Sequence, residues 1–219
     1  VAGQPVVYGR LDADWHETNV FLKCAFNYAL DAEYATFEIP YATIQRVSKP
    51  KTAADLAKWE MSGHRWVDYT NTDKSYGVSL LSFSKYGYDV KNNMVRMTML
   101  RCPTGPDPQA DRGKHSIPLA LYPHTGDWPA ALTPQRGAEY NDPLFVFREP
   151  AHKGALGKSH SFFSAGPGNV LLATMKRAEN GEGFVLRIVE TSGKDGTATI
   201  TLPAKPKKVI ETNLVEREL

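Results

Sequence analysis

Apolar and polar residues alternate along much of this chain with a period of two. Val7, Gly9, Leu11 and Ala13 alternate with Tyr8, Arg10, Asp12 and Asp14, which places one set on each face of a strand. Val20, Leu22, Cys24 and Phe26 repeat the rhythm. Tyr76 to Phe83 and Met94 to Arg101 read as two further strands. Ile117, Leu119 and Leu121 share a face, and Pro118 among them predicts an edge or a bulge, because proline offers no N–H to a ladder. Val170 to Met175, Phe184 to Val189, Thr197 to Leu202 and Val209 to Leu214 predict four more strands. Asn92-Asn93 predicts a two-residue hairpin turn able to take positive φ. Asn180 to Gly183 and Ser192 to Gly196 predict successive hairpins, a meander from about Asn169. One short helix is predicted over Thr52 to Glu60, with Thr52 as cap and Asp55 completing a capping box. The pattern is that of an all-β fold, a two-sheet sandwich with at most a short helix. Residues 148 to 168 lack periodicity, and read as a long loop or a sub-boundary between packed sheets.

Composition adds bounds. The chain has 219 residues, 42% of them hydrophobic, enough for one large β domain or two small ones. No apolar run approaches the ~18 residues that span a bilayer, so no membrane partner is expected. The net charge is +2 with both signs interspersed, so no nucleic acid partner is expected either. Cys24 and Cys102 leave a disulfide open, but read as two packed, reduced thiols. No Asn-x-Ser/Thr sequon occurs. Both features lean toward a chain outside the secretory pathway. Strand-like sequence at both ends predicts a domain cut from a longer polypeptide.

Catalytic motifs are scarce. His16-Glu17 begins the zinc pattern His-Glu-x-x-His, but Val20 stands where the second histidine belongs, and the region reads as strand. Asp12 and Asp14 read as a polar strand face. No nucleophile elbow, Walker loop, Rossmann fingerprint or Cys-x-x-Cys spacing occurs. The expectation is therefore no catalytic residue and no metal ligand within this chain. Two segments stand out. Pro103 to His115 is a proline-stiffened loop that ends in Asp111, Arg112 and His115, groups able to accept from or donate to hydroxyls. Its plain alternative is that Asp111 and His115 pair to pin the loop. Ser84-Lys85-Tyr86-Gly87-Tyr88 offers aromatic faces and a cation to a sugar ring; Trp59, Trp66 and Trp128 invite the same idea. Core packing is the alternative for these rings.

A longer series of motifs carries a family resemblance. It runs through Asp14-Trp15-His16-Glu17, Leu22-Lys23, Phe26, Glu38-Ile39-Pro40-Tyr41, Glu60, His64-Arg65-Trp66-Val67-Asp68 and Tyr76-Gly77-Val78. It continues through Ser84 to Val90, Leu100-Arg101-Cys102-Pro103, Pro106-Asp107, Ala110-Asp111-x-Gly113-x-His115 and Ala120-Leu121-Tyr122-Pro123-His124-x-Gly126. The set resembles the C-terminal β region of glycoside hydrolase family 38, the α-mannosidases, and looks most like the branch with the cytosolic and vacuolar enzymes. Phe83 and Ala42 depart from the usual acidic or polar residue and glycine.

The resemblance implies a large supersandwich similar to galactose mutarotase, with residues 1–219 as the C-terminal domain of a longer, cytoplasmic enzyme. It implies a retaining α-mannosidase that depends on zinc or another divalent metal. The nucleophile, acid/base and metal ligands would lie in an upstream catalytic domain. Retaining hydrolysis needs two carboxyl groups about 5–5.5 Å apart, so this region alone is expected to be inactive. Its expected partners are that upstream domain and an α-mannoside, and a bare inter-domain face predicts self-association into a homo-oligomer. Asp111, Arg112, His115, Lys85 and Tyr86 are the expected substrate-facing residues. An independent carbohydrate-binding module of similar fold is the alternative.

Overall fold

The computed structural model describes residues 5–219, which divide into one compact unit ending at Leu144 and a second, Phe145–Leu219. The first unit runs β1 (Val7–Trp15), β2 (Leu22–Asn27), β3 (Tyr34–Ile39), β4 (Ala42–Val47), α1 (Ala53–Leu56), β5 (Met61–Ser62) and β6 (Trp66–Thr70). It continues with β7 (Tyr76–Ser82), β8 (Gly87–Lys91), β9 (Met94–Leu100), β10 (Gly113–Thr125) and α2 (Thr133–Asn141). Six strands form one sheet in the order β1-β10-β7-β6-β3-β4, and four form another in the order β2-β9-β8-β5.

The two sheets share one core. Phe37, Val67, Tyr69, Val78, Leu80, Ile117 and Leu119 from the larger sheet cluster with Tyr88, Val90, Val95, Met97 and Met99 from the smaller. Alternation along each strand sends the intervening residues outward. On the outer face of the larger sheet, Trp66, Leu81, Ala120 and Tyr122 form a second cluster, packed against Trp128, Ala131 and Tyr140. Tyr69 ties the layers together, its hydroxyl donating to the carbonyls of Asn92 at 2.6 Å and Ala32 at 3.0 Å.

The all-β reading holds, and several local expectations are refined. The Asn92 turn forms, with Asn92 at φ 56° and Lys91 opposite Met94. The Thr52–Asp55 capping box is present, but the helix ends at Leu56. Pro118 lies inside β10, which has a neighbour on each side. The ladder with β7 begins only at Leu119, so at Pro118 the strand is paired with β1 alone. The missing N–H therefore costs no bond to β7. Helix α2 was not legible: its cap position, Leu132, is left-handed and makes no side-chain cap. Both cysteines are free thiols.

The second unit holds β11 (Ser164–Gly166), β12 (Val170–Arg177), β13 (Phe184–Glu190) and β14 (Thr199–Thr201). Strands β12 and β13 form the expected hairpin, but β14 pairs with β11 rather than continuing a meander. The turn after β13 is closed by Glu190, which accepts from the amides of Ser192, Gly193 and Lys194 and from Asn169. The strand expected over Val209 to Leu214 does not form. Asn213 instead accepts from the amides of Val215 and Arg217, which turns the chain back to a single bridge between Thr212 and Glu218. No residue of this unit is fully buried. Leu144, Phe145, Val146 and Phe147 are between 83% and 95% exposed.

Candidate functional site

The outer face of the four-stranded sheet is polar. Asp89, almost wholly enclosed, accepts from Lys23 at 2.7 Å and from Arg96 at 2.7 and 2.6 Å. A buried carboxylate demands such pairing. Beside this network lies an open cleft of about 490 Å³. Glu60, Lys85, Tyr86, Thr98, Arg101 and Asp111 are among its lining residues. Three of the five expected substrate-facing residues, Lys85, Tyr86 and Asp111, thus come together. Arg112 follows Asp111 on its loop and His115 lies in β10, opposite Ala13, both outside that lining.

Each wall has a local cause. The Ser84–Tyr86 turn is held from below. The Ser82 hydroxyl donates to the Lys85 carbonyl at 2.9 Å and accepts from the Lys85 amide at 3.2 Å. Tyr88, buried in the core, donates to the same carbonyl at 3.0 Å and to that of His64 at 2.8 Å. Tyr88 is therefore packing, as is the fully buried Trp66, whereas Tyr86 is exposed and meets His64 edge-on at 5.8 Å. Trp59 is also exposed, beneath the Lys91 ammonium.

The opposite wall is the proline-rich loop. Asp111 takes φ 59° and accepts from the amides of Arg101 at 2.9 Å and Cys102 at 3.0 Å. These two amides hold its carboxyl below the usual range against partial burial, with help from the charges of Lys85 and His115. The His115 ring bonds the Asp111 carbonyl at 2.8 Å, and Arg112 donates to Thr18 at 2.7 Å. Glu60 and Arg101 were not legible as cleft residues, since nothing in their spacing joins them to Lys85. The available signal was Gly87: a side chain there would fall on the Glu60 carboxylate.

A second polar cluster lies on the outer face of the six-stranded sheet. His124 donates to Asp68 at 2.8 Å, Ser79 donates to Asp68 at 2.8 Å, and Ser79 meets Thr133 at 2.9 Å. A nucleophilic triad would set the carboxylate on one ring nitrogen and the serine on the other. Here both face Nε2, and Nδ1 is buried without a partner. The cluster pins α2 to the sheet. Among the described residues, no three or more His, Cys, Asp or Glu side chains converge as a metal site. Of the cleft carboxylates, Glu60 accepts from Thr98 through one oxygen and Asp111 from two amides through one oxygen. The residues here therefore do not fit the divalent metal that the resemblance implies.

Comparison with known proteins gives the fold its place. Residues 2–109 match the glycosyl hydrolases family 38 C-terminal domain, and residues 169–219 match the family 38 C-terminal beta sandwich domain. The chain belongs to glycoside hydrolase family 38. Within that family it is 34% identical over 218 residues to human Alpha-mannosidase 2C1, covering 98% of this chain and 21% of that protein. It is 30% identical over 209 residues to Alpha-mannosidase G of Dictyostelium discoideum, covering 94% and 19%. The chain thus spans about a fifth of the length of these curated relatives. A solved α-mannosidase from Enterococcus faecalis V583 shares the fold, with a TM-score of 0.85 at 16% identity over 99% of this chain and 25% of that one. No helix among the described residues is long and apolar enough to cross a membrane.

Proposed function

We propose that this chain is the C-terminal β region of a retaining, metal-dependent α-mannosidase, and that its cleft forms one wall of the mannoside site. The cleft carries this reading: it gathers Lys85, Tyr86, Asp111 and Glu60 on one face of a family 38 sandwich. The nucleophile, the acid/base and the ligands of zinc or another divalent metal belong to an upstream domain of the same polypeptide. The second unit supports such a partner, because it has no buried residue and opens with three exposed apolar ones, Phe145, Val146 and Phe147. Large bare patches mark interaction surfaces. The resemblance to the cytosolic and vacuolar branch adds a cytoplasmic location.

Two measurements test the proposal. The 219-residue chain, supplied with zinc, should not hydrolyse an aryl α-mannoside above background, whereas the longer polypeptide that carries it should. Metal-dependent turnover by the chain alone, or none by the longer polypeptide, refutes the reading. The reading frame upstream of Val1 should continue into a metal-binding α/β domain.

A further inference from the structure

Each of the two sheets in the first unit ends in two edge strands, and three of these four edges are blunted. In β4, Arg46 stands opposite the core residue Ala35, lies over the Phe37 ring at 4.5 Å and donates to the Ser62 carbonyl of β5. That bond ties the edges of the two sheets together on this flank. Strand β5 itself is two residues long. Strand β2 carries a register shift between Leu22 and Lys23. An inward-pointing charge, a very short strand and a bulge each discourage a further strand from pairing.

Strand β1 has none of these devices. It runs for nine residues in unbroken register with β10 on one side, and no strand among the described residues pairs with it on the other. Its inward face is apolar and incompletely covered. Leu11 and Trp15 pack against the core yet remain partly exposed, as do Leu22, Cys24 and Phe26 of β2, the edge strand of the smaller sheet on the same flank. Val7 shares the face of Leu11 and is 61% exposed. Interior strands of the same core bury Leu80 and Met97 completely. A long, regular strand with an apolar inward face and one open side is a template for another strand.

We propose that the free edge of β1 is an interaction surface for an extended segment of the same polypeptide immediately preceding Val1, which adds antiparallel to β1 as a seventh strand of the larger sheet. Its inward side chains, apolar at alternate positions, cover Leu11 and Trp15 and the flank they share with Phe26. Consecutive strands lie side by side about two-thirds of the time. With β10 on one side of β1, the open edge is the place left for the strand before it. The length outside this chain suffices, because the chain spans about a fifth of its curated relatives and both models it matches are C-terminal. This assignment rests on the reading of the chain as the C-terminal region of a longer enzyme.

The test is residue-resolved hydrogen exchange on the 219-residue chain, on the same chain lengthened upstream of Val1 by about 15 residues, enough for a turn and a strand, and on the full polypeptide. In the 219-residue chain the amides from Arg10 to Trp15 should alternate, slow where they bond β10 and fast where they face the open edge. In both longer forms the fast set should slow by roughly a hundredfold or more, which erases the alternation. Alternation that persists in the lengthened chain overturns the proposal. So does its absence from the dilute 219-residue chain, because the edge would then be covered from within. Protection that grows with the concentration of the 219-residue chain and is no greater in the lengthened one assigns the edge to a second copy, and overturns it as well. The α-mannosidase reading is decided separately, by hydrolysis with the full polypeptide.

Discussion

Replacing Asp111 by alanine removes the single acceptor that serves the amides of Arg101 and Cys102. Cys102 is buried and sits at φ 51°, so its amide cannot turn to water without moving the chain end of β9. Hydrogen bonds to a charged acceptor contribute about 1.5–3 kcal/mol each when protected. The Arg101 amide lies on the exposed side and regains water. The expected loss is therefore about 2–4 kcal/mol, with Asp111→Asn losing roughly half as much because one oxygen remains. Urea unfolding followed by tryptophan fluorescence measures it cleanly, since all four tryptophans, Trp15, Trp59, Trp66 and Trp128, lie in the first unit. The pH dependence has a defined sign. The folded carboxyl is held below its unfolded value of ~3.9, so its contribution is complete above that value and is lost as pH falls through the folded one. The gap between parent and variant should hold from pH 7 to about 4 and narrow only as pH falls below that value. A midpoint shift worth under about 0.5 kcal/mol, the scale of an ordinary surface substitution, would show that Asp111 does not hold this loop.

Three further outcomes follow from the same physics. Glu190 resists partial burial, and donors from Ser192, Asn169 and Lys194 bring its carboxyl down to about 2. Glu190→Gln should accelerate amide exchange at Ser192 to Lys194 at pH 7, and the difference should fade as pH falls from about 4 toward the folded value; equal exchange rates at pH 7 would refute it. Gly77→Ala would set a methyl against the Thr70 hydroxyl and the His124 ring, and should cost about 1–3 kcal/mol of overpacking in urea unfolding. Burial pushes the Cys24 thiol above its ordinary value, so in the folded chain it should alkylate more slowly at pH 8 than a free cysteine.

A strand with one wet face was legible, because β1 alternates. Strands β3 and β6 were not. Ala35 to Glu38 and Trp66 to Tyr69 are buried on both faces, and the charges Glu38 and Asp68 interrupt the apolar pattern. Those charges are tolerated only because Arg65 forks onto Glu38 and His124 meets Asp68, partners 27 and 56 residues away. Helix α2 contains Pro134 and Gly137, and Gly137 is required where the chain passes Trp66; tertiary packing outweighs its weak propensity. At the site, Lys85 and Tyr86 could be read from one turn. Glu60 could not, because its place depends on the side chain that Gly87 lacks.

The position of β10 bears on where the polypeptide can be divided. The first family match stops at residue 109, yet β10, at Gly113–Thr125, is the strand through which β1 joins the rest of its sheet. A fragment trimmed at residue 109 would strand β1 without a neighbour, leave one side of β7 as an open template for intermolecular pairing, and remove Ile117 and Leu119 from the core. Stopping at Thr125 would restore the sheet but leave Trp66 and Leu81 without the cover of Trp128 and Tyr140. The smallest self-sufficient piece therefore reaches Asn141, the end of α2, and the seam between inherited sequence modules falls inside a cooperative folding unit.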